Sequence, residues 1–261
     1  MSIIDFHTHA YIDRIASRSV KTVSEHYSKP VSGNGTIGNL EECAKDGGVD
    51  YILVLPVAPR ASQVVPLNNW LAKRITDHVL GFGCLHPKYK HLEEEAARIK
   101  TLGLRGIKLH PDFQQVNADD PSMDKVYDLA VQEHLPVLIH AGDVQTTYSN
   151  PARIANVMKR FPEMTLIVPH LGGYSEWDEA ERYIIGKDCY IDTSSSLWAL
   201  PPEKSRELIL KHGVDRVLFG TDYPLTSQIE EIRYFKRLHL TEEAEKRILF
   251  ENAKELLHLQ V

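Results

Sequence analysis

Eight short β-rich runs recur along the chain: IIDF at 3–6, YILVL at 51–55, LGFGCL at 80–85, GIKL at 106–109, PVLI at 136–139, TLIV at 165–168, CYID at 189–192 and RVLF at 216–219. After the first, their starts fall roughly 24 to 30 residues apart, the repeat length of a strand–helix unit. Several are almost continuously apolar rather than alternating, as strands covered on both faces must be. Such a chain either closes its strands into a barrel or winds them into an open, doubly wound sheet. Eight strands in 261 residues favour the α/β class and a (β/α)8 TIM barrel, although periodicity alone does not exclude the open sheet.

Helical patterns fill the intervals. Residues 91–103 place Leu92, Ala96, Ile99 and Leu102 on one face, with Gly103 as a stop. Residues 122–134 begin at Ser122, a cap residue, and carry Val126, Leu129, Ala130 and His134 at helical spacing. Pro151 opens 151–161, and Thr241 with an acidic first turn opens 241–259. Residues 10–39, with KPVSGNGTIG, are the one long irregular stretch, expected to be a mobile flap over the barrel mouth. No low-complexity linker divides the chain, so residues 1–261 are expected to form a single domain.

Composition excludes several functions. A formal net charge of −6 with dispersed Lys and Arg argues against a nucleic-acid or anionic-membrane partner. Cys43, Cys84 and Cys189 lie far apart without a CxxC, which suits a reducing compartment and offers no thiolate metal site. MSIIDF shows no basic region followed by an apolar stretch, and no run is long enough to span a bilayer. A cytoplasmic protein acting on a small molecule is expected, with homo-oligomerisation left open.

The histidines are not scattered. In a barrel, chemistry sits at the C-terminal ends of the strands. His7 and His9 follow the first run, His86 the third, His110 the fourth, His140 the fifth and His170 the sixth, while Asp222 in FGTDYP follows the eighth. The chain has 13 His, so an HxH arises by chance about 0.6 times and means little alone. Six of the 13 crowding one end of one fold means more. Neutral imidazoles with a carboxylate suit zinc and other first-row divalent ions, and three nitrogens plus an Asp leave a position open for catalysis. Taken singly, each His is more often a polar strand-end residue than a ligand, and Asp222 could equally be a turn residue or helix cap. Ser194, Ser195 and Ser196 lack the GxSxG elbow of a serine nucleophile. Trp177 and Trp198, near the sixth and seventh strand ends, are candidate pocket walls.

DFHTHAY, IKLHP, IHAG, VPHLGG and LFGTDYP, in this order from residue 3 to about 225, resemble the strand motifs of the amidohydrolase superfamily of metal-dependent (β/α)8 barrels. The nearer resemblance is to its amidohydrolase 2 branch of hydrolases and related decarboxylases. It implies that His7, His9, His140 and Asp222 hold a divalent metal, Zn2+ being the expected ion. His170 would then orient an activated water or join a second ion. Lys108 in GIKLHP resembles the lysine that binuclear relatives carbamylate. A single ion with Lys108 as a substrate-facing or ion-paired amine is the preferred reading, and two ions follow if it is carbamylated. His110 would assist with substrate, and His86 is read as structural. The expected activity is hydrolysis of an amide, ester or lactone, with Asp222 as general base and then acid and His170 and Lys108 assisting. Non-oxidative decarboxylation, as in the aminocarboxymuconate-semialdehyde decarboxylases, is the alternative, and a non-catalytic metal-binding scaffold the third class.

Overall fold

The computed structural model describes residues 2–261. In chain order the strands are β1 (Ile4–Thr8), β2 (Tyr51–Val54), β3 (Val79–Gly81), β4 (Gly83–Cys84), β5 (Ile107–Leu109), β6 (Val137–Ile139), β7 (Leu166–Val168), β8 (Tyr190–Asp192) and β9 (Val217–Leu218). The helices are α1 (Asp13–Tyr27), α2 (Ile37–Asp46), α3 (Val64–Ala72), α4 (Leu92–Thr101), α5 (Pro111–Gln114), α6 (Pro121–Gln132), α7 (Pro151–Arg160), α8 (Trp177–Tyr183), α9 (Pro202–His212), α10 (Gln228–Lys236), α11 (Glu242–Lys246) and α12 (Asn252–Leu256). Each apolar run of the sequence contains a strand, the third being divided at Phe82 into β3 and β4. The described residues contain no helix long and apolar enough to cross a membrane.

Chain contacts divide the molecule into two compact units, one built from residues up to Val54 together with Ile191–Val261, the other from Leu55–Tyr190. In the first, β1 lies parallel to β2 and β8 parallel to β9, with Asp192 opposite Leu218. The amide of Phe6 donates to the carbonyl of Phe219 at 2.8 Å, and Thr8 bridges Tyr223. The first and last strands therefore run side by side, carrying the HTH and TDYP segments to the same end. In the second unit β4, β5, β6 and β7 are successive parallel neighbours, with Lys108 opposite Cys84 and Leu138. All residues of β1, β5, β6 and β7 are buried, which explains why these runs do not alternate.

Local signals set the helix ends. Asp120, rather than Ser122, caps α6 by accepting from the Ser122 amide at 2.8 Å, and Pro121 occupies the first turn. Gly103, at φ +77°, ends the turn after α4. Two expectations change. Residues 10–39 are not irregular, because α1 takes up Asp13–Tyr27 and buries Ala16 and Val20. The C-terminal helix is interrupted by a π-helical turn at Arg247–Glu251.

Candidate metal centre

His7 and His9 are two apart at the end of β1, a spacing that puts both side chains on one face of an extended chain. Their Nε2 atoms are 3.2 Å apart. Asp222, on the loop after β9, sets Oδ1 3.2 Å from His9 Nε2 and 3.6 Å from His7 Nε2. Main-chain bonds fix this approach: the Asp222 amide donates to the His7 carbonyl at 2.8 Å, and the His9 amide to the Tyr223 carbonyl at 2.7 Å. Asp222 adopts φ +60°, which a non-glycine residue holds only where its surroundings enforce it. Two donors bound about 2.1 Å from a common ion, at roughly tetrahedral angles, stand about 3.4 Å apart. The three observed separations bracket that value. The donor set therefore fits a first-row divalent ion.

The orienting groups lie in the same unit. His7 Nδ1 is 2.7 Å from Asp192 Oδ2, with Ser194 Oγ 3.1 Å away. Asp192 Oδ1 accepts from the Ser194 amide at 3.0 Å and from its hydroxyl at 2.5 Å. An acidic acceptor at Nδ1 places the proton there and leaves the Nε2 lone pair for a metal. Ser195 Oγ donates to Asp222 Oδ2 at 2.6 Å, so the carboxylate shows one oxygen to the imidazoles and the other to a hydroxyl. Asp5, under the HTH segment, accepts from the Thr221 hydroxyl, the Thr221 amide and Gln228 Nε2 at 2.7, 3.0 and 2.9 Å. Burial pushes its carboxyl up to about 7 against those bonds.

The second unit gathers the remaining histidines. His140 Nδ1 and His170 Nε2 are 3.1 Å apart. The His110 ring stacks on His140 at 3.8 Å and on Phe113 at 4.0 Å. His110 also caps α5, its Nδ1 accepting from the Phe113 amide, and lies 3.9 Å from Asp112 Oδ2. Asp112 is held by the hydroxyls of Thr146 and Ser149 at 2.6 and 2.5 Å, and burial raises its pKa against them. Lys108 is buried within β5. His170 and Leu171 adopt φ +61° and +50°, and the Trp177 indole donates to the His170 carbonyl at 3.0 Å. At Gly142 a Cβ would meet the Tyr174 carbonyl oxygen at 2.3 Å, so only glycine lets the loop after His140 approach so closely. His86 accepts from the Lys88 amide at 3.1 Å, and burial and the nearby Lys88 lower its pKa, which suits a structural residue.

Thus His7, His9 and Asp222 converge in one unit, and His140, His170 and His110 in the other. Sequence reading passed over Asp192, Ser194 and Ser195 as ligand-orienting groups. The signal available was the polar DTSSS run closing the apolar CYI strand.

Strand-end imidazoles and a carboxylate whose spacing could hold a metal ion, on repeated parallel β–α units, define the class: a β/α barrel with a candidate metal centre. Residues 4–259 match the amidohydrolase 2 family, described as Amidohydrolase, and the chain belongs to that family. An uncharacterized TIM-barrel protein from Bordetella bronchiseptica is similar in structure, with a TM-score of 0.79, 21% identity and 99% of each chain covered. The 5-carboxyvanillate decarboxylase LigW of Sphingomonas paucimobilis aligns at a TM-score of 0.75 and 14% identity over 99% of each chain. A dihydroxybenzoic acid decarboxylase of Polaromonas, crystallised with manganese, aligns at 0.75 and 16% over 100% of this chain and 98% of its own. These likenesses show the fold, the (β/α)8 TIM barrel of the sequence reading.

Among curated relatives, the decarboxylase orsB of Emericella nidulans is 29% identical over 129 residues, 41% of this chain and 38% of the relative. The chain thus matches well under half of that relative's length. The expected hydrolase is corrected by these comparisons: LigW, the Polaromonas enzyme and orsB are named decarboxylases. The physical reason is that one ligand set serves both chemistries, so the ligands could not choose between them.

Proposed function

We propose that the protein is a metal-dependent, non-oxidative decarboxylase, a carboxy-lyase acting on an aromatic carboxylic acid. What supports this reading is the convergence of His7, His9 and Asp222, oriented by Asp192 and Ser195, in a chain similar to the named decarboxylases LigW and orsB. The family match over 4–259 supports taking residues 1–261 as one catalytic domain. His7, His9 and Asp222 would hold one divalent first-row ion, with His140 as the further ligand that the family resemblance implies and Lys108 as an uncarbamylated amine. Zinc suits these donors, and manganese is the ion in the Polaromonas structure.

When bound, the ion supplies positive charge that draws electron density from the oxygens of the substrate. Asp222 keeps Oδ1 towards the imidazoles and Oδ2 for proton transfer, with Ser195 fixing that oxygen. It takes the proton of the substrate's ring hydroxyl, leaving a phenolate, and delivers that proton to the ring carbon that bears the carboxylate. The electron pair of the breaking C–C bond returns to the ring, and CO2 leaves. His170 takes the part of hydrogen-bond partner to the substrate oxygen on which charge builds.

The test is a panel of hydroxylated benzoates offered to manganese- and zinc-loaded protein and to chelator-stripped protein, with CO2 quantified. Stoichiometric CO2 from the loaded protein alone supports the reading. Metal-dependent cleavage of amides or lactones without CO2 sinks it.

A further inference from the structure

We propose that Lys29, lying across the face of Trp198, recognises a second anionic oxygen group on the substrate, separate from the carboxylate that is lost. The inference rests on the decarboxylase reading for the class of its ligand, an aromatic acid with two anionic substituents.

Lys29 follows α1 and is anchored at its main chain from both sides. Its amide donates to the Ser24 carbonyl at 3.1 Å, and the Ser24 hydroxyl donates to the Lys29 carbonyl at 2.7 Å. The side chain therefore starts from a fixed point. Its Nζ donates to Thr226 Oγ1 at 2.9 Å and stands 4.0 Å from the centroid of the Trp198 ring. Thr226 lies four residues beyond Asp222, and Trp198 three beyond Ser195, so both contacts belong to the loops that carry the ligand-orienting groups.

The charge of Lys29 is not neutralised at close range. The carboxylates nearest in electrostatic effect are Asp222, Glu231 and Glu230, yet none forms an ion pair with it within 4.0 Å among the described residues. Glu230 is already engaged, its Oε2 accepting from the hydroxyls of Ser32 and Ser227 and from the Ser227 amide. Glu231 is fully buried, and burial pushes its pKa well above the ordinary range. A half-buried ammonium has three N–H groups, and among the described residues one hydroxyl is the only hydrogen-bond acceptor it meets. Partly buried cations are ordinarily paired. An incoming carboxylate or phenolate would supply the missing acceptor, and the Trp198 face beside it offers an aromatic wall to the ring that bears the anion.

The experiment measures binding to the metal-loaded protein by calorimetry, with benzoate and isophthalate as probes and Lys29→Met and Lys29→Arg as variants. The wild type should hold isophthalate more tightly than benzoate. Lys29→Met should weaken isophthalate about 10- to 100-fold, the worth of a hydrogen bond to a charged group, while leaving benzoate affinity and metal content unchanged. Lys29→Arg should restore part of the difference. Unchanged isophthalate binding in Lys29→Met overturns the inference, as does equal weakening of both acids or failure of the wild type to bind either. CO2 release, recorded on the same samples, separates the two claims. Lys29-dependent binding without CO2 removes the decarboxylase reading and keeps the subsite; CO2 release with dianion selectivity intact in Lys29→Met does the reverse.

Discussion

The Nδ1 atom of His7 lies 2.7 Å from Oδ2 of Asp192, and both side chains are fully buried. That contact favours the tautomer that leaves Nε2 free to face an ion in the proposed site, and it fixes the ring plane. Asp192→Asn keeps the shape but removes the charge that favours a proton on Nδ1. Metal affinity should fall about 10- to 100-fold, read by competition against a chromophoric chelator. An affinity equal to wild type would show that Asp192 does not orient the ligand.

In the proposed mechanism Asp222 combines ligation with proton transfer. Asp222→Asn leaves a neutral oxygen near His7 and His9 but cannot carry the proton. Appreciable metal should remain while turnover drops about 10²- to 10⁴-fold, the usual worth of general acid–base catalysis. In a one-ion site, His170→Asn should slow turnover with metal content unchanged. Loss of half the metal in that variant would favour two ions and a carbamylated Lys108.

Gly33 lies against the ring of Tyr223, the residue after Asp222. A Cβ at position 33 would sit 2.2 Å from Tyr223 Cε2 and 2.5 Å from its phenol oxygen. The Tyr223 ring has little room to retreat, being fully buried with its hydroxyl donating to Asn39 Oδ1 at 2.8 Å. Gly33→Ala should cost about 1–3 kcal/mol by overpacking, measured by thermal or urea unfolding, and should lower turnover by displacing Asp222. Wild-type stability and kinetics together would refute the packing argument.

Glu231 bears on pH. Its folded-state pKa is raised well above 4.5, chiefly by burial, with Lys29 opposing. For a raised acid the folded state binds the proton more tightly. The stabilising contribution is therefore complete below about pH 4.5 and is lost as pH rises towards the folded pKa. Glu231→Gln has no proton to lose. The stability of the variant relative to wild type should climb steadily as pH increases from 5 upward, on the order of 1.4 kcal/mol per pH unit at most. A difference independent of pH, in unfolding at several pH values, would contradict this.

The strands were legible because burial on both faces leaves a run of apolar side chains that no other element of that length requires. The pairing of His7 and His9 with Asp222 was suggested by chain order, because each follows a strand and strand ends carry the chemistry of such folds. Helix α1 was not legible. It has no side-chain cap at Ile12, it is rich in Ser and β-branched residues, and it buries only Ala16 and Val20, so its period is faint beside the KPVSGNGTIG turn that follows. Asp192 was hidden for another reason. Its partner His7 is 185 positions away, and an Asp ending a strand reads locally as a turn residue. The choice between hydrolysis and decarboxylation was not legible either, because identical ligands activate both.

In the proposed reaction a proton replaces a carboxylate on the substrate. Turnover of a hydroxylated benzoate by manganese-loaded protein in D2O, followed by NMR of the product, tests it most directly. The expected result is one deuterium at the ring carbon that lost its carboxylate, with one CO2 per product, and both formed about 10²- to 10⁴-fold more slowly by the Asp222→Asn variant. A product that retains its carboxylate, or cleavage of an amide or lactone with no deuterium on carbon, would contradict the account.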